Sequence, residues 1–487
     1  MDGKTGIKTQ KSLNPRVMIA AASSGSGKTV ITCALLKILK DRGLDPVSFK
    51  CGPDYIDPMF HRTVLGIDSH NLDTFLAGED GVLEVFSEAV SERNETTSDK
   101  SKTAVIEGVM GIYDGMSPGS LEGSSYEIAR ITQTPIILVV NAQGVGRTVI
   151  SVIKGILADD DSRLIKGIIL NRMSDAFFEK IRPVMQDEIA KMRDDVEILG
   201  HIPKTEDIGL ESRHLGLKLP GEIEDLRERI DKFAAIVDQN CDIEAIIESG
   251  RMAEDISSRT RSRSCSAAAD ARLVKDLTKR RRLHEVFSET LRHAPVTLAV
   301  ARDEAFCFYY PENLRELEAC GMKIVEFSPI HDAKFPDEAD ALLLGGGYPE
   351  LYLEELSRNT SMLGSVRNAI ENGMPSIAEC GGFMYLHSVI EDRDGNPYNM
   401  VGAIDGVCRY TGHLVNFGYT LIESVKDDVP KEWREVLIGL RGHEFHYYES
   451  SAAGTDAILC KPSTGRSCPG MYITKNRLWG WPHLYYR

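Results

Sequence analysis

The chain has 487 residues, 42% hydrophobic and 27% charged, with a formal net charge of −16. That length exceeds a single core and requires two or more domains, and the acidity repels a phosphate backbone, which excludes nucleic acid as an expected partner. Ten cysteines without a CxxC pair fit a reduced, cytoplasmic enzyme better than a disulfide framework or a zinc site.

In chain order, Met1 to Pro15 is polar, with no apolar signal region, and reads as a flexible tail over 1–15. Val17 to Ala22 is a short apolar run, and Thr29 to Arg42 has helical apolar spacing (Ile31, Leu35, Leu36, Leu39) that stops at Gly43. Further strands are expected at Pro46–Phe49, Ala104–Glu107, Pro135–Val140, Ile165–Leu170 and Val196–Ile202, with helix-like segments between most of them. This alternation predicts a parallel sheet covered by helices on both faces over residues 16–250. The longest apolar stretch, Thr134 to Asn141, is of strand length and far short of a membrane span.

Between the first strand and helix lies Ala22-Ser-Ser-Gly25-Ser26-Gly27-Lys28-Thr29, the strand–loop–helix context of a phosphate-binding loop. Small residues let the N–H groups of Gly25, Ser26 and Gly27 turn inward on phosphate oxygens at a helix N-terminus. Lys28 is expected on the β and γ phosphates of ATP and Thr29 on Mg²⁺. The cation needs one or two carboxylates. Asp54, in Cys51-Gly-Pro-Asp-Tyr-Ile-Asp-Pro58, and Glu107, ending Ala104-Val-Ile-Glu107, both sit just after strands, where the ligand crevice of an open parallel sheet lies. Asn171, ending Gly167-Ile-Ile-Leu-Asn171, sits where a side-chain amide could read the base, with a plain turn-forming Asn as the alternative.

From Arg259 to Arg282 there are nine Lys/Arg and two Asp, which reads as a solvated basic linker within 251–294. A second α/β domain is expected over 295–487: strand Val296–Ala301, helix Pro311–Cys320, strands Lys323–Phe327 and Ala341–Leu344, helix Met362–Asn372 and strand Pro375–Ala378, followed by short segments of β character. Pro375-Ser-Ile-Ala-Glu-Cys380-Gly381-Gly382 reads strand, tight turn, helix, with a thiol at the turn. That geometry exposes a nucleophile, offers N–H groups as an oxyanion hole and favours the thiolate at a helix N-terminus. Gly346 and Gly347, in Leu343-Leu-Gly-Gly-Gly-Tyr-Pro-Glu350, and Gly381 are the candidate donors. A histidine distant in sequence should be the base; His483, His443 and His446 are the candidates.

Taken together, SSGSGKT, KCGPDYIDP, NLDTF (Asn71–Phe75), VIEGVMGIYDG (Val105–Gly115), SRHLGL (Ser212–Leu217), LLGGGYPE, AECGGFMYL and RGHEFHY resemble the cobyrinic acid a,c-diamide synthase family along nearly the whole chain. The resemblance implies a P-loop NTPase domain like dethiobiotin synthetase followed by a class I glutamine amidotransferase-like α/β domain. It implies Cys380 as nucleophile, His483 as its histidine, Asp54 and Glu107 as Mg²⁺ ligands, and Tyr55, Asp57 and Asp114 in loops facing a tetrapyrrole. Class I amidotransferases usually carry Glu two residues after the histidine. Tyr485 stands there instead, which implies a Cys–His dyad with its orienting group unassigned.

The implied reaction is ATP- and L-glutamine-dependent amidation of the a and c acetates of a metallo-tetrapyrrole through an acyl phosphate. The motifs do not separate cobyrinate from nickel-sirohydrochlorin, an intermediate of the methanogenic nickel cofactor; the basic linker and the terminal WGWPHLYYR tip the expectation toward nickel. Cobyric-acid-type amidation at other side chains, or a P-loop switch ATPase with a non-catalytic C-terminal module, are the alternatives. No membrane partner is expected, and a homodimer is left open.

Overall fold

A computed structural model describes residues 15–91, 102–205, 226–253 and 296–487. The tail before position 15, Ser212–Leu217 and the basic stretch 259–282 lie outside the described residues. The chain divides into two compact units, Met1–Cys265 and Ser266–Arg487. No helix among the described residues is long and apolar enough to cross a membrane.

The first unit runs β1 (Arg16–Ala21), α1 (Lys28–Asp41), β2 (Pro46–Cys51), α2 (Ile56–Phe60), β3 (Ser69–Leu72), α3 (Thr74–Ser91), β4 (Thr103–Glu107), α4 (Ser125–Thr132), β5 (Ile136–Asn141), α5 (Thr148–Ala158), β6 (Ile165–Asn171), α6 (Asp175–Ala190), β7 (Glu197–Ile202), α7 (Leu226–Asn240) and α8 (Ile243–Arg251). Among the described residues its sheet has seven strands, all parallel, in the order β3-β2-β4-β1-β5-β6-β7. Alternate residues of β1 feed two cores: Met18 and Ala20 pack with Val47, Phe49 and Ile106, whereas Val17, Ile19 and Ala21 pack with Ile31, Leu35 and Leu39 of α1. Burial on both faces is why this strand reads as a continuous apolar run. The chain builds β2 to β4 on one side of β1 and β5 to β7 on the other. The C-terminal ends of β1 and β4 therefore border the switch point where such sheets bind ligands.

The second unit contains β8 (Val296–Ala301), β9 (Phe306–Phe308), α9 (Pro311–Ala319), β10 (Met322–Phe327), β11 (Ala341–Leu344), β12 (Gly346–Gly347), α10 (Leu353–Arg358), α11 (Thr360–Glu371), β13 (Ser376–Glu379) and α12 (Gly381–Tyr385). There follow β14 (His387–Glu391), β15 (Pro397–Asn399), β16 (Ile404–Val425), α13 (Lys431–Leu437), β17 (Arg441–Ser450), β18 (Ala457–Lys461), β19 (Arg466–Gly470), β20 (Tyr472–Thr474), β21 (Arg477–Gly480) and β22 (His483–Leu484). One sheet has the order β10-β8-β11-β13-β21-β20, parallel up to β21 and closed by antiparallel β20. A second runs β15-β14-β16-β17-β22, with β18 paired to β16 and β19 to β18. The terminal stretch joins both sheets: β21 lies beside β13, and β22 beside β17. Trp479, Leu484 and Tyr485 are consequently buried core residues.

Candidate active sites

In the first unit the loop after β1 carries Gly25 (φ 73°) and Gly27 (φ 95°), left-handed conformations that glycine adopts freely. A Cβ at Gly27 would lie 2.4 Å from Asn171 Nδ2. The amide of Asn171 donates to Ser26 O at 2.8 Å, and its oxygen accepts from Arg172 N at 2.9 Å. Asn171 thus braces the loop from the end of β6, which takes up much of the side chain expected on the base. Lys28 Nζ donates to Met110 O at 2.5 Å and Ser23 O at 3.4 Å; burial and the nearby Lys50 cation lower its pKa to about 8.

Thr29 Oγ1 donates to Glu107 Oε1 at 2.6 Å, so the sequence-predicted hydroxyl and carboxylate meet. Glu107 is wholly buried, and desolvation with the Asp57 carboxylate pushes its pKa up to about 7. Lys50, at the end of β2, donates to Glu107 Oε1 at 2.7 Å, pairs with Asp57 Oδ2 and lies 4.0 Å from Asp54 Oδ2. Sequence reasoning passed over Lys50; a lysine closing a buried strand beside an Asp-rich turn was the available signal. Asp57, expected on the tetrapyrrole, is instead buried in the ion pair with Lys50, which holds it below the ordinary carboxylate range despite desolvation. Asp57 and Glu107 together compensate the buried ammonium of Lys50.

Asp54 Oδ1 caps the next turn, accepting from Ile56 N at 2.8 Å and Asp57 N at 3.2 Å. Partial burial and Asp57 raise its pKa to about 6. Asn71 pins the same loop through Gly52 O and Asp54 O. Asp114 is exposed, and its Oδ2 accepts from Gly111 N at 2.8 Å; it closes the turn that presents Met110 O to Lys28. Tyr55 is partly buried just before α2.

The residues here fit Mg²⁺. Glu107 Oε2 is a buried oxygen with no hydrogen-bond partner, and the 2.6 Å between Thr29 Oγ1 and Glu107 Oε1 is close to the ~3 Å edge of an octahedron with ligands at 2.0–2.1 Å. No group of three or more His, Cys, Asp or Glu among the described residues is set to hold a metal by itself. The fit is to a cation that nucleotide phosphates would help complete.

In the second unit Cys380 joins β13 to α12 with φ 47° and ψ −104°, a strained conformation for a residue with a Cβ. Neighbouring bonds hold it: Cys380 N donates to Gly480 O and Gly382 N to Gly345 O, both at 2.9 Å. A Cβ at Gly382 would lie 2.2 Å from Leu344 O, so the elbow requires glycine there. The Gly381 N–H adjoins the Cys380 sulfur and favours its charged form. The expected lowering of the thiol pKa is reversed in this state: burial and the nearby Glu350 raise it above its ordinary value, outweighing the N-terminus of the five-residue α12.

The three predicted oxyanion glycines and His483 come together around the elbow. A Cβ at Gly381 would lie 3.1 Å from Gly347 N, and one at Gly346 would lie 2.1 Å from His483 Cε1. His483 is buried, and desolvation with His443 and His446 lowers its pKa to about 3, leaving a neutral ring. His446 has both nitrogens engaged, Nδ1 with Tyr448 O at 2.7 Å and Nε2 with Glu444 Oε2 at 3.4 Å, and it stacks on Trp481 at 3.9 Å. His443 faces His483 across β17 and β22, packed against Phe417 and Tyr419.

Residues 17–217 match the CobQ/CobB/MinD/ParA nucleotide binding domain, and residues 297–480 match the CobB/CobQ-like glutamine amidotransferase domain. Similar curated proteins include the cobyrinate a,c-diamide synthase of Fusobacterium nucleatum, 37% identical over 96% of this chain and 97% of its own length. That of Caldanaerobacter subterraneus is 34% identical over 96% and 94%, and that of Clostridium tetani 36% identical over 88% and 86%.

Proposed function

This chain belongs to the cobyrinate a,c-diamide synthase family, and from that premise we propose that it couples glutamine hydrolysis at Cys380 to ATP-dependent amidation of the a and c acetates of a tetrapyrrole. The observation that carries this reading is the strained elbow at Cys380, with His483 packed against Gly346 beside it. A merely structural buried thiol does not require a positive φ held between two glycine-dependent contacts.

A carboxylate is a poor acyl donor, because oxide would have to leave. Transfer of the γ-phosphoryl group of ATP to it makes an acyl phosphate with a good leaving group. Lys28 and Lys50 supply positive charge beside that transfer, and the loop N–H groups orient the phosphates. Thr29, Glu107 and Asp54 would hold Mg²⁺, which when bound neutralises phosphate charge. In the other unit the Cys380 thiol passes its proton to neutral His483 and attacks the glutamine amide carbon. The Gly381 N–H, with Gly346 and Gly347, stabilises the oxyanion. Ammonia leaves and water hydrolyses the remaining thioester; the ammonia then attacks the acyl carbon of the acyl phosphate, forming the amide as inorganic phosphate departs with a proton.

The relatives' names favour a cobyrinate-type substrate. The terminal WGWPHLYYR, which pointed toward nickel-sirohydrochlorin, is core and His483 support inside the second unit, so it offers no discrimination between macrocycles. The test is product mass after incubation with ATP, glutamine and either cobyrinate or nickel-sirohydrochlorin. A gain of two amides on cobyrinate is expected. Amidation of nickel-sirohydrochlorin alone would reverse the substrate choice, and ATP hydrolysis indifferent to both would favour a switch ATPase.

A further inference from the structure

The position that usually supplies the carboxylate behind a class I histidine is Tyr485, whose ring packs edge-on against Tyr310 at 5.6 Å. A carboxylate nevertheless faces His483, and it comes from the residue that precedes the nucleophile. Glu379 ends β13 in register with Gly480 of β21. Its Oε1 accepts from Leu484 N at 3.2 Å and from the Tyr486 hydroxyl, so one oxygen is clamped by residues flanking the histidine. Its Oε2 lies 4.0 Å from His483 Nδ1. Both side chains are buried, Glu379 at 7% and His483 at 2% exposure. Tying down the chain terminus needs only the two bonds to Oε1, which a glutamine would accept equally well. An ionisable group is costly in such a site, and its second oxygen is turned toward the ring.

We infer that Glu379 is the positioning carboxylate of the Cys380–His483 pair, accepting a hydrogen bond from Nδ1–H of His483 when that ring becomes charged. The inference rests on the glutaminase reading above. Cys380 gives its proton to His483 Nε2 as sulfur bonds to the amide carbon. The resulting imidazolium draws Nδ1–H toward Oε2, shortening a contact that is too long for a hydrogen bond around a neutral ring. The Nε2 proton then goes to the departing nitrogen as the C–N bond breaks, releasing NH₃ and leaving a thioester. Water gives a proton to Nε2 and its oxygen to the carbonyl; the C–S bond breaks, the thiol regains the proton and glutamate leaves. Glu379 stays a carboxylate throughout: it aligns the ring and offsets its charge, as a buried acid does in other nucleophile–histidine sites.

The groups facing Glu379 are Tyr486 and His483 after β21, Cys380 beside it and Tyr309 after β9, with His443 and His446 of β17 behind His483. Burial raises the pKa of Glu379 to about 7. Its ionisation should therefore appear as an acid limb in glutamine hydrolysis.

The test measures kcat, KM and pH profile of glutamine hydrolysis in the full chain for Glu379→Gln, Glu379→Asp, Cys380→Ser and His483→Ala. Each preparation is also melted by tryptophan fluorescence, which reports the fold of the second unit because Trp433, Trp479 and Trp481 are all buried there. Glu379→Gln is expected to lose kcat by about 10²–10⁴-fold with KM little changed and to lose the acid limb near pH 7, with partial recovery in Glu379→Asp. Wild-type kcat and an unaltered acid limb in Glu379→Gln would overturn the inference. So would loss of that melting transition in Glu379→Gln, which marks a structural role. Glutamine hydrolysis surviving in His483→Ala would overturn the inference as well, whereas survival in Cys380→Ser would instead refute the underlying glutaminase reading.

Discussion

Glu107 is poised between its two protonation states because it is buried beside Asp57 and Lys50, and a bound cation would fix it as the carboxylate. Glu107→Gln and Asp54→Asn should each abolish amide formation with glutamine or ammonium as nitrogen source, measured as product mass. Alkylation of Cys380 should persist, because the second unit has its own core. Full amidation by either variant would remove that residue from the metal site. Gly346→Ala should suppress glutamine hydrolysis, since its methyl would occupy the place of His483 Cε1, 2.1 Å away; unchanged kcat would place the reacting histidine elsewhere. Glu379 also makes a stability prediction. Its folded pKa of about 7 lies above the ordinary 4.5, so its contribution is fully present below about 4.5 and is lost as pH rises through 7. Glu379→Gln should lack that loss, so that at pH 8.5 it gains on the order of 2.5 kcal/mol over wild type relative to pH 5. Melting curves at the two pH values test this, and an equal pH dependence would contradict it.

At the scale of elements, the loop from Gly108 to Gly115 works as a unit: Asp114 closes the turn at Gly111, and Met110 holds Lys28. Asp114→Ala should accordingly weaken nucleotide binding along with turnover, and turnover loss at unchanged nucleotide affinity would restore Asp114 to the substrate side. The first unit was legible because β1, β4 and β6 are continuous apolar runs and α1 keeps strict helical spacing; their local pattern is their tertiary environment. The elbow was legible for the same reason, being strand, Cys-Gly-Gly and helix in a single stretch. The return of β21 to lie beside β13 was not legible, because strand pairing a hundred residues apart leaves no local periodicity. Glu379, Lys50 and the bracing role of Asn171 were missed alike: each is defined by a partner distant in sequence.

At the scale of the whole molecule, one chain carries a phosphate-loop unit and a thiol-elbow unit, each with separate cores. In the proposed reaction they supply successive halves, so nitrogen source is the variable that separates them. The most direct measurement is the diamide formed by Cys380→Ala from ATP and tetrapyrrole, with glutamine or with ammonium chloride at mildly alkaline pH. The account predicts that glutamine-dependent synthesis falls by roughly 10⁴-fold or more, while ammonium restores diamide formation because the acyl phosphate accepts NH₃ from any source. Continued use of glutamine by Cys380→Ala would show that the thiol is structural and would contradict the central claim.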